Sequence, residues 1–198
     1  MKHAMAAQHA TRESLVSRGA RRTSSRKQGQ GSLAEALAYR NRDVVQRFLE
    51  AYPIDPADAE IIFTETKRWL WLAGRLGQRG GKGQLTVTQP MFALDEMWHC
   101  FIVFTRDYAE FCARFVGHYI HHQPVTLAEK ARARRHRERD PEGFARAFAR
   151  KMERQYTWIA EQLGEDTLRA WHVEIPAKYP MSTLQRLNAE AAVAHRYE

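Results

Sequence analysis

The sequence predicts an all-α fold, a compact bundle of about six helices formed by a single domain over residues 32–198. Apolar residues recur at spacings of three and four along several long segments, which is the period of a helix with one buried face. Most of these segments begin at a helix-capping pattern and end at a glycine or a proline. No internal repeat and no alternation of strand and helix patterns is present, which argues against a parallel α/β sheet.

The first helical segments lie between residues 32 and 77. Residues 32–35 form a capping box, in which a serine and a glutamate satisfy each other's backbone amides. The helical period that follows lasts to Tyr52, and Pro53 stops it. An aspartate and a proline at 55–56 then start a second helix with a wide apolar face, for which Gly77 is a natural end.

The middle of the chain is predicted to hold a helical hairpin. Residues 77–83 are glycine-rich but lack the spacing of a phosphate-binding loop, so we interpret them as a connector before a short extended piece. The central helix covers about residues 90–104, and Thr105 marks a tight turn into the next helix. Gly117 interrupts that second helix, and residues 118–124 form an irregular exit.

The last third of the chain predicts further helices. A second capping box at 126–129 opens a segment made almost entirely of Arg, Lys, His and Ala, which should be exposed to solvent. Residues 140–141 start a long amphipathic helix that Gly164 ends. A short helix around Trp171, an extended segment between Pro176 and Pro180, and a weak terminal helix complete the chain.

The composition indicates a soluble protein, which we expect in the cytoplasm. No apolar run is long enough to cross a bilayer, and the N-terminus lacks the apolar core of a secretory signal. Two cysteines are too few for a disulfide scaffold. The net charge of +8 is concentrated in residues 1–31, predicted as a disordered basic tail, and in residues 130–139.

The basic segments suggest an interaction module that binds RNA or another acidic partner. Between residues 130 and 139 the cationic side chains would face phosphates; they are Lys130, Arg132, Arg134, Arg135, Arg137 and Arg139. Glu129, Glu138 and Asp140 interrupt this run, and no aromatic residues are interleaved for base stacking. A solvated helix face explains the same pattern.

A candidate site lies in the core motif at residues 90–124, which holds both cysteines and four of the nine histidines. Asp95 and His99 are four residues apart and share one face of the central helix. Folding the hairpin at Thr105 brings Cys112 level with His99. A bend at Gly117 would return His121 toward Asp95, with His118 and His122 as further candidates.

Three interpretations of the cluster remain open. A metal ion, zinc or iron, would be held by Asp95, His99, Cys112 and His121, because mixed nitrogen and sulfur ligands suit zinc and permit iron. Alternatively, Cys112 is a thiolate nucleophile, with His99 as its base and Asp95 as the orienting group. In the third, the aspartate and histidine form a buried hydrogen bond and the cysteine packs in the core.

The motif D-x-x-W-H followed by Y-x-x-x-C-x-x-x-x-G-x-x-x-H resembles the core of the glycine-rich domain-containing protein-like family. The resemblance covers about residues 60–124. It implies that the motif residues form one unit; they are Asp95, Trp98, His99, Tyr108, Cys112, Gly117 and His121. It implies no particular reaction.

Overall fold

A computed structural model describes residues 31–78 and 85–194, and within these ranges the chain is helical with no β-strand. The all-α prediction is therefore confirmed. The α-helices are α1 Leu33–Ala38, α2 Arg42–Ala51, α3 Pro56–Gln78, α4 Phe92–Val103, α5 Thr105–Phe111, α6 Leu127–Arg139, α7 Pro141–Leu163, α8 Glu165–Arg169, α9 Ile175–Lys178 and α10 Met181–Ala194. The predicted basic tail, apart from Gly31, and most of the glycine-rich connector lie outside the described residues.

The first predicted helical segment is divided into α1 and α2. Asn41 separates the two helices, because its side-chain oxygen accepts a hydrogen bond from Val44 N at 3.1 Å and so caps the start of α2. Lys67 of α3 is almost fully buried and donates to the carbonyl oxygens of Leu37 and Tyr39 at 2.9 and 2.8 Å. These bonds satisfy carbonyls that the end of α1 leaves free.

The core lies where α2, α3, α4 and α5 pack together, and it is rich in aromatic rings. Phe101 of α4 is fully buried and makes edge contacts with Phe63, Tyr108 and Phe111. Such edge-to-face contacts add to the stabilisation that burial provides. The central helix is thus fixed on several sides, which holds its Asp95 and His99 in place.

The hairpin after α4 turns as predicted near residue 105 and then departs from regular geometry. Five residues in π-helical conformation, Cys112–Val116, follow α5. Gly117 then adopts the left-handed conformation with φ of 86°, which other residues rarely adopt. The chain continues as an irregular segment to Thr126, whose capping box begins α6.

The helices α6 and α7 correspond to the two helices predicted after residue 126, and they pack against each other. None of the residues of α6 is buried, as the sequence suggested. Gln155 ties α7 to the extended segment before α4, because it accepts from Thr86 N at 2.8 Å and donates to Thr86 O at 2.9 Å. This pair of bonds satisfies both backbone groups of one residue and anchors α7.

The prediction of an extended segment between Pro176 and Pro180 is wrong, since residues Ile175–Lys178 form α9. Proline lies in the first turn of this helix, where its missing N–H is not needed. In the described part of the chain, none of the helices combines the length and apolar character needed to cross a membrane.

Candidate metal centre

Asp95, His99 and His122 bring three potential metal ligands to one place. One ligand atom from each lies within 4.8 Å of the other two. The two Nε2 atoms of the histidines are 2.8 Å apart. The Asp95 carboxylate lies beside both, with Oδ2 4.0 Å from His99 Nε2 and Oδ1 3.8 Å from His122 Nε2.

The helix α4 places two of these side chains and a loop supplies the third. Asp95 and His99 are one turn apart on the same face, as their spacing predicts. His122 arrives from the segment that Gly117 turns back toward α4. The indole ring of Trp98 packs against the imidazole of His122, with centroids 4.7 Å apart, and so fixes the plane of that ring.

A buried hydrogen-bond relay holds the returning segment. Trp98 Nε1 donates to the hydroxyl of Tyr108 at 3.0 Å, and that hydroxyl donates to the carbonyl of Ile120 at 2.8 Å. Ile120 lies two residues before His122. Since Trp98 and Tyr108 are buried in the core, the relay ties the position of His122 to the hairpin itself.

A second carboxylate, Glu96, supports His99 from behind. Glu96 Oε1 lies 3.4 Å from His99 Nδ1, and Glu96 Oε2 accepts from the hydroxyl of Tyr52 at 2.5 Å. The interaction with Glu96 raises the pKa of His99 above its usual value, against the opposing effect of burial. Burial alone would raise the pKa of Glu96, but its hydrogen bonds to His99 and Tyr52 leave it lowered.

The pKa of Asp95 is shifted in the opposite direction to that of Glu96. Burial raises the pKa of its carboxyl group, and the neighbouring histidines only partly offset this. Its side chain is 26% exposed, as is that of His122. A nearby cation would stabilise the ionised form of such a partly buried carboxylate. Two imidazole nitrogens lie beside the carboxylate and could bind the same cation.

Of the residues predicted as ligands, the structure brings together Asp95 and His99. The third residue of the cluster is His122, which the sequence analysis gave only as a further candidate. His121 is exposed and packs its ring against Tyr119, with centroids 4.8 Å apart, and His118 is also exposed. His121 lines the same cleft, but only the ring of His122 comes close enough to Asp95 and His99 to share a ligand position with them.

Cys112 does not belong to this group. Its side chain is buried at 1% exposure, beside Tyr108 and the backbone of Ile120. Burial is the main effect on its pKa and raises it, which disfavours the thiolate. The position therefore favours a packed core thiol over a nucleophile activated by His99.

The sequence reasoning missed two residues of the site, Glu96 and Tyr52. Glu96 carried a usable signal, because it precedes His99 by three residues and so lies within reach on the helix. Tyr52 carried none, since it comes from α2 and lies 44 residues from Glu96 in the chain.

The site opens onto a cleft of about 790 Å³, which falls within the usual range for small-molecule pockets. Asp95 and His122 lie on its wall. The remaining wall comes from α3, from the extended segment around Thr86, from the loop after His122 and from α7. A ligand in this cleft would therefore reach two of the three converging side chains, those of Asp95 and His122.

Two imidazoles and one carboxylate are a donor set for first-row transition metals. Nitrogens bound to one metal at about 2.1 Å lie about 3.0 Å apart at right angles and about 3.4 Å apart in a tetrahedron. The 2.8 Å separation of His99 Nε2 and His122 Nε2 is nearer the former. This set is known from open zinc sites and from non-haem iron sites, in which further positions take water or substrate.

Comparison with known proteins corrects the resemblance drawn from the motif. The chain matches the family model described as UCP032817-like over residues 35–166, well over half of its length. The assignment to the glycine-rich domain-containing protein-like family is therefore wrong, and what it implied does not apply. Neither the curated proteins nor the solved structures contain a match. The chain belongs to the UCP032817-like family.

Proposed function

We propose that this protein binds one divalent transition metal ion, zinc or iron, through Asp95, His99 and His122. The observation that carries the proposal is the approach of two imidazole nitrogens to 2.8 Å beside a carboxylate. The three side chains come from α4 and from a loop held by its own hydrogen-bond relay. Ligands positioned in this way by packing are expected of a binding site.

The position of Glu96 supports a metal over a simple histidine pair. Its Oε1 lies 3.4 Å from His99 Nδ1 and favours the tautomer with the proton on Nδ1, which leaves the lone pair of His99 Nε2 for the side that faces His122. A carboxylate behind a histidine is the usual outer partner of a metal ligand, because it fixes the tautomer and makes the free nitrogen more basic. Tyr52 in turn orients Glu96.

The number of ligands suggests an open site. Three protein ligands leave coordination positions free, and the Asp95 and His122 side chains face the cleft. A closed structural zinc site has four protein ligands, commonly including cysteine. We therefore expect the ion to contact water or a cleft ligand, where it would act as a Lewis acid.

The test is metal binding by the full chain after treatment with a chelator. We expect calorimetric titration with Zn²⁺, and with Fe²⁺ under anaerobic conditions, to give about one equivalent. His122→Ala should lose this binding. The matched controls His121→Ala and Cys112→Ala should keep it, because those side chains lie outside the cluster. Equal loss in His121→Ala and His122→Ala, or no binding by the wild type, would contradict the proposal.

A second candidate function is binding of nucleic acid by α6. The specific observation is that α6 has no buried residue, so that its cationic side chains are available to a partner. Arg134 is paired with Glu138 at 2.7 Å, which weakens its contribution. We expect RNA binding that decreases steeply with salt and falls when Arg132, Arg134 and Arg135 become Glu. Unchanged binding in that variant would exclude this surface.

A further inference from the structure

The wall of the cleft opposite α4 carries positive charge with no compensating acid. Lys151 and Arg154 both line the cleft from α7, and both are exposed. Neither forms an ion pair or a hydrogen bond within the described part of the chain, whereas Arg146 on the same helix is paired with Glu142. Among the described residues that line the cleft, Asp95 is the one acidic side chain, and it belongs to the group with His99 and His122.

The part of α7 that carries these two cationic side chains is fixed by a neighbouring residue. Gln155, next to Arg154, is buried and makes both of its hydrogen bonds to the backbone of Thr86. Thr86 itself lines the cleft. The clamp therefore fixes the backbone of α7 from which Lys151 and Arg154 project relative to Thr86, so both cationic side chains start from the wall of the cleft.

Apolar and aromatic side chains make up much of the remaining lining, beside polar ones from Thr86, Gln123, Gln155 and the two histidines His121 and His122. Three tryptophans contribute to the wall, namely Trp69, Trp98 and Trp158. Trp69 and Trp98 pack on each other with ring centroids 4.7 Å apart. Leu85 and Val87 extend this surface. Flat apolar walls of this kind favour a ligand with an aromatic or similar body, because burying that body releases water from both surfaces.

We infer that the cleft binds a small organic anion, with a carboxylate or phosphate group attached to an apolar, preferably aromatic, body. Lys151 and Arg154 would attract the anionic group, and the tryptophan wall would contact the body. A divalent ion at Asp95, His99 and His122 would more than offset the one acidic charge of the lining. That last contribution rests on the proposed metal site, whereas the contributions of α7 and of the tryptophans do not.

The experiment compares three related probes with the full chain by calorimetry: 1-naphthoate, 1-naphthyl phosphate and the neutral 1-naphthol. The double variant Lys151→Gln, Arg154→Gln should lower the affinity for the two anions by about tenfold or more and leave that for naphthol within about twofold. Arg150→Gln is the matched control, because Arg150 is on the same helix but does not line the cleft. The stronger of the two anions identifies the preferred head group.

Repeating the titrations with and without Zn²⁺ separates the two proposals. Anion binding that depends on Lys151 and Arg154 in a protein that takes up no zinc would support this inference and contradict the metal site. Zinc binding without any preference for the anions would support the metal site and contradict this inference. The inference is overturned if naphthol binds as tightly as the anions, if the double variant binds them unchanged, or if none of the probes binds at millimolar concentration.

Discussion

His99 and His122 lie 23 residues apart in the chain, yet their Nε2 atoms are 2.8 Å from each other. One ring is fixed by a helix and the other by a loop that packs on Trp98. Two neutral imidazoles at this distance must share one proton, whereas a metal ion would use both lone pairs at once. The carboxylate of Asp95 beside them makes the second arrangement electrostatically favourable.

Replacing Glu96 tests whether the residue behind His99 matters to metal binding. Glu96→Gln removes the negative charge that polarises His99, while an amide oxygen can still accept from Nδ1. We expect the zinc affinity to fall by about tenfold to a hundredfold with the stoichiometry unchanged. Asp95→Asn, which replaces a proposed ligand, should reduce the affinity further.

The control for this change is Glu50→Gln. Glu50 is an exposed acid on α2 whose partner is Arg47, so its loss alters the net charge by the same amount without touching the cluster. Calorimetry with Zn²⁺ should give wild-type affinity for this variant. Equal losses in both variants would attribute the effect to net charge, and no loss in Glu96→Gln would contradict the role assigned to it.

The pH dependence should change sign when metal is added. In metal-free protein the folded-state pKa of His99 is raised, mainly by Glu96, so its stabilising effect is complete below its unfolded pKa of about 6.5. That effect is lost as the pH rises through the higher folded value. The pKa of Asp95 is also raised, which acts in the same direction at lower pH.

The corresponding measurement is thermal unfolding in chelator at about pH 6 and about pH 9. His99→Gln should lower the melting temperature more at the acidic pH, by a modest amount because the ring is 40% exposed. Zinc affinity should instead increase with pH, since protons compete with the ion for the same nitrogen. A zinc affinity that is independent of pH across this range would argue against imidazole ligands.

The sequence was sufficient for the longer helices and for two of the three clustered residues. Capping boxes at Ser32 and Thr126 identified helix starts, because such signals are local and involve residues only three positions apart. Asp95 and His99 were found for the same reason, since a helix fixes the relation between positions four apart.

The third proposed ligand, His122, could not be selected from the sequence. The return of the chain at Gly117 was foreseen, but the choice between His121 and His122 depends on how many residues the turn consumes. The π-helical residues Cys112–Val116 and the bond from Tyr108 to Ile120 decide that count, and both arise from tertiary packing. A shift of one residue in this irregular segment would place a different side chain beside Asp95.

Gln155 offers a test of how the cleft is built. Gln155→Ala would leave the N–H and C=O of the half-buried Thr86 without their protein partners, and we expect the free energy of unfolding to fall by about 1–2 kcal/mol. Gln155→Glu should also destabilise, because a carboxylate would face the Thr86 carbonyl. Urea unfolding of both variants, with exposed Arg150→Ala as the control, measures this. A loss no larger than that of the control would show that the clamp contributes little.

The Tyr108 hydroxyl provides a test of positioning that removes no ligand. Tyr108→Phe keeps the buried ring but deletes the group that accepts from Trp98 Nε1 and donates to Ile120 O. The segment that carries His122 then loses its anchor, so we expect weaker zinc binding at unchanged stoichiometry, together with about 1–3 kcal/mol of lost stability.

Tyr119→Phe is the matched control for this relay. Tyr119 lies on the same segment and packs edge-on against Tyr108, with ring centroids 5.1 Å apart, but its side chain is 39% exposed. The same substitution there should leave zinc affinity and stability near the wild-type values. If Tyr108→Phe lowers stability without weakening zinc binding, the relay supports the fold alone, and the position of His122 must be set by its contact with Trp98.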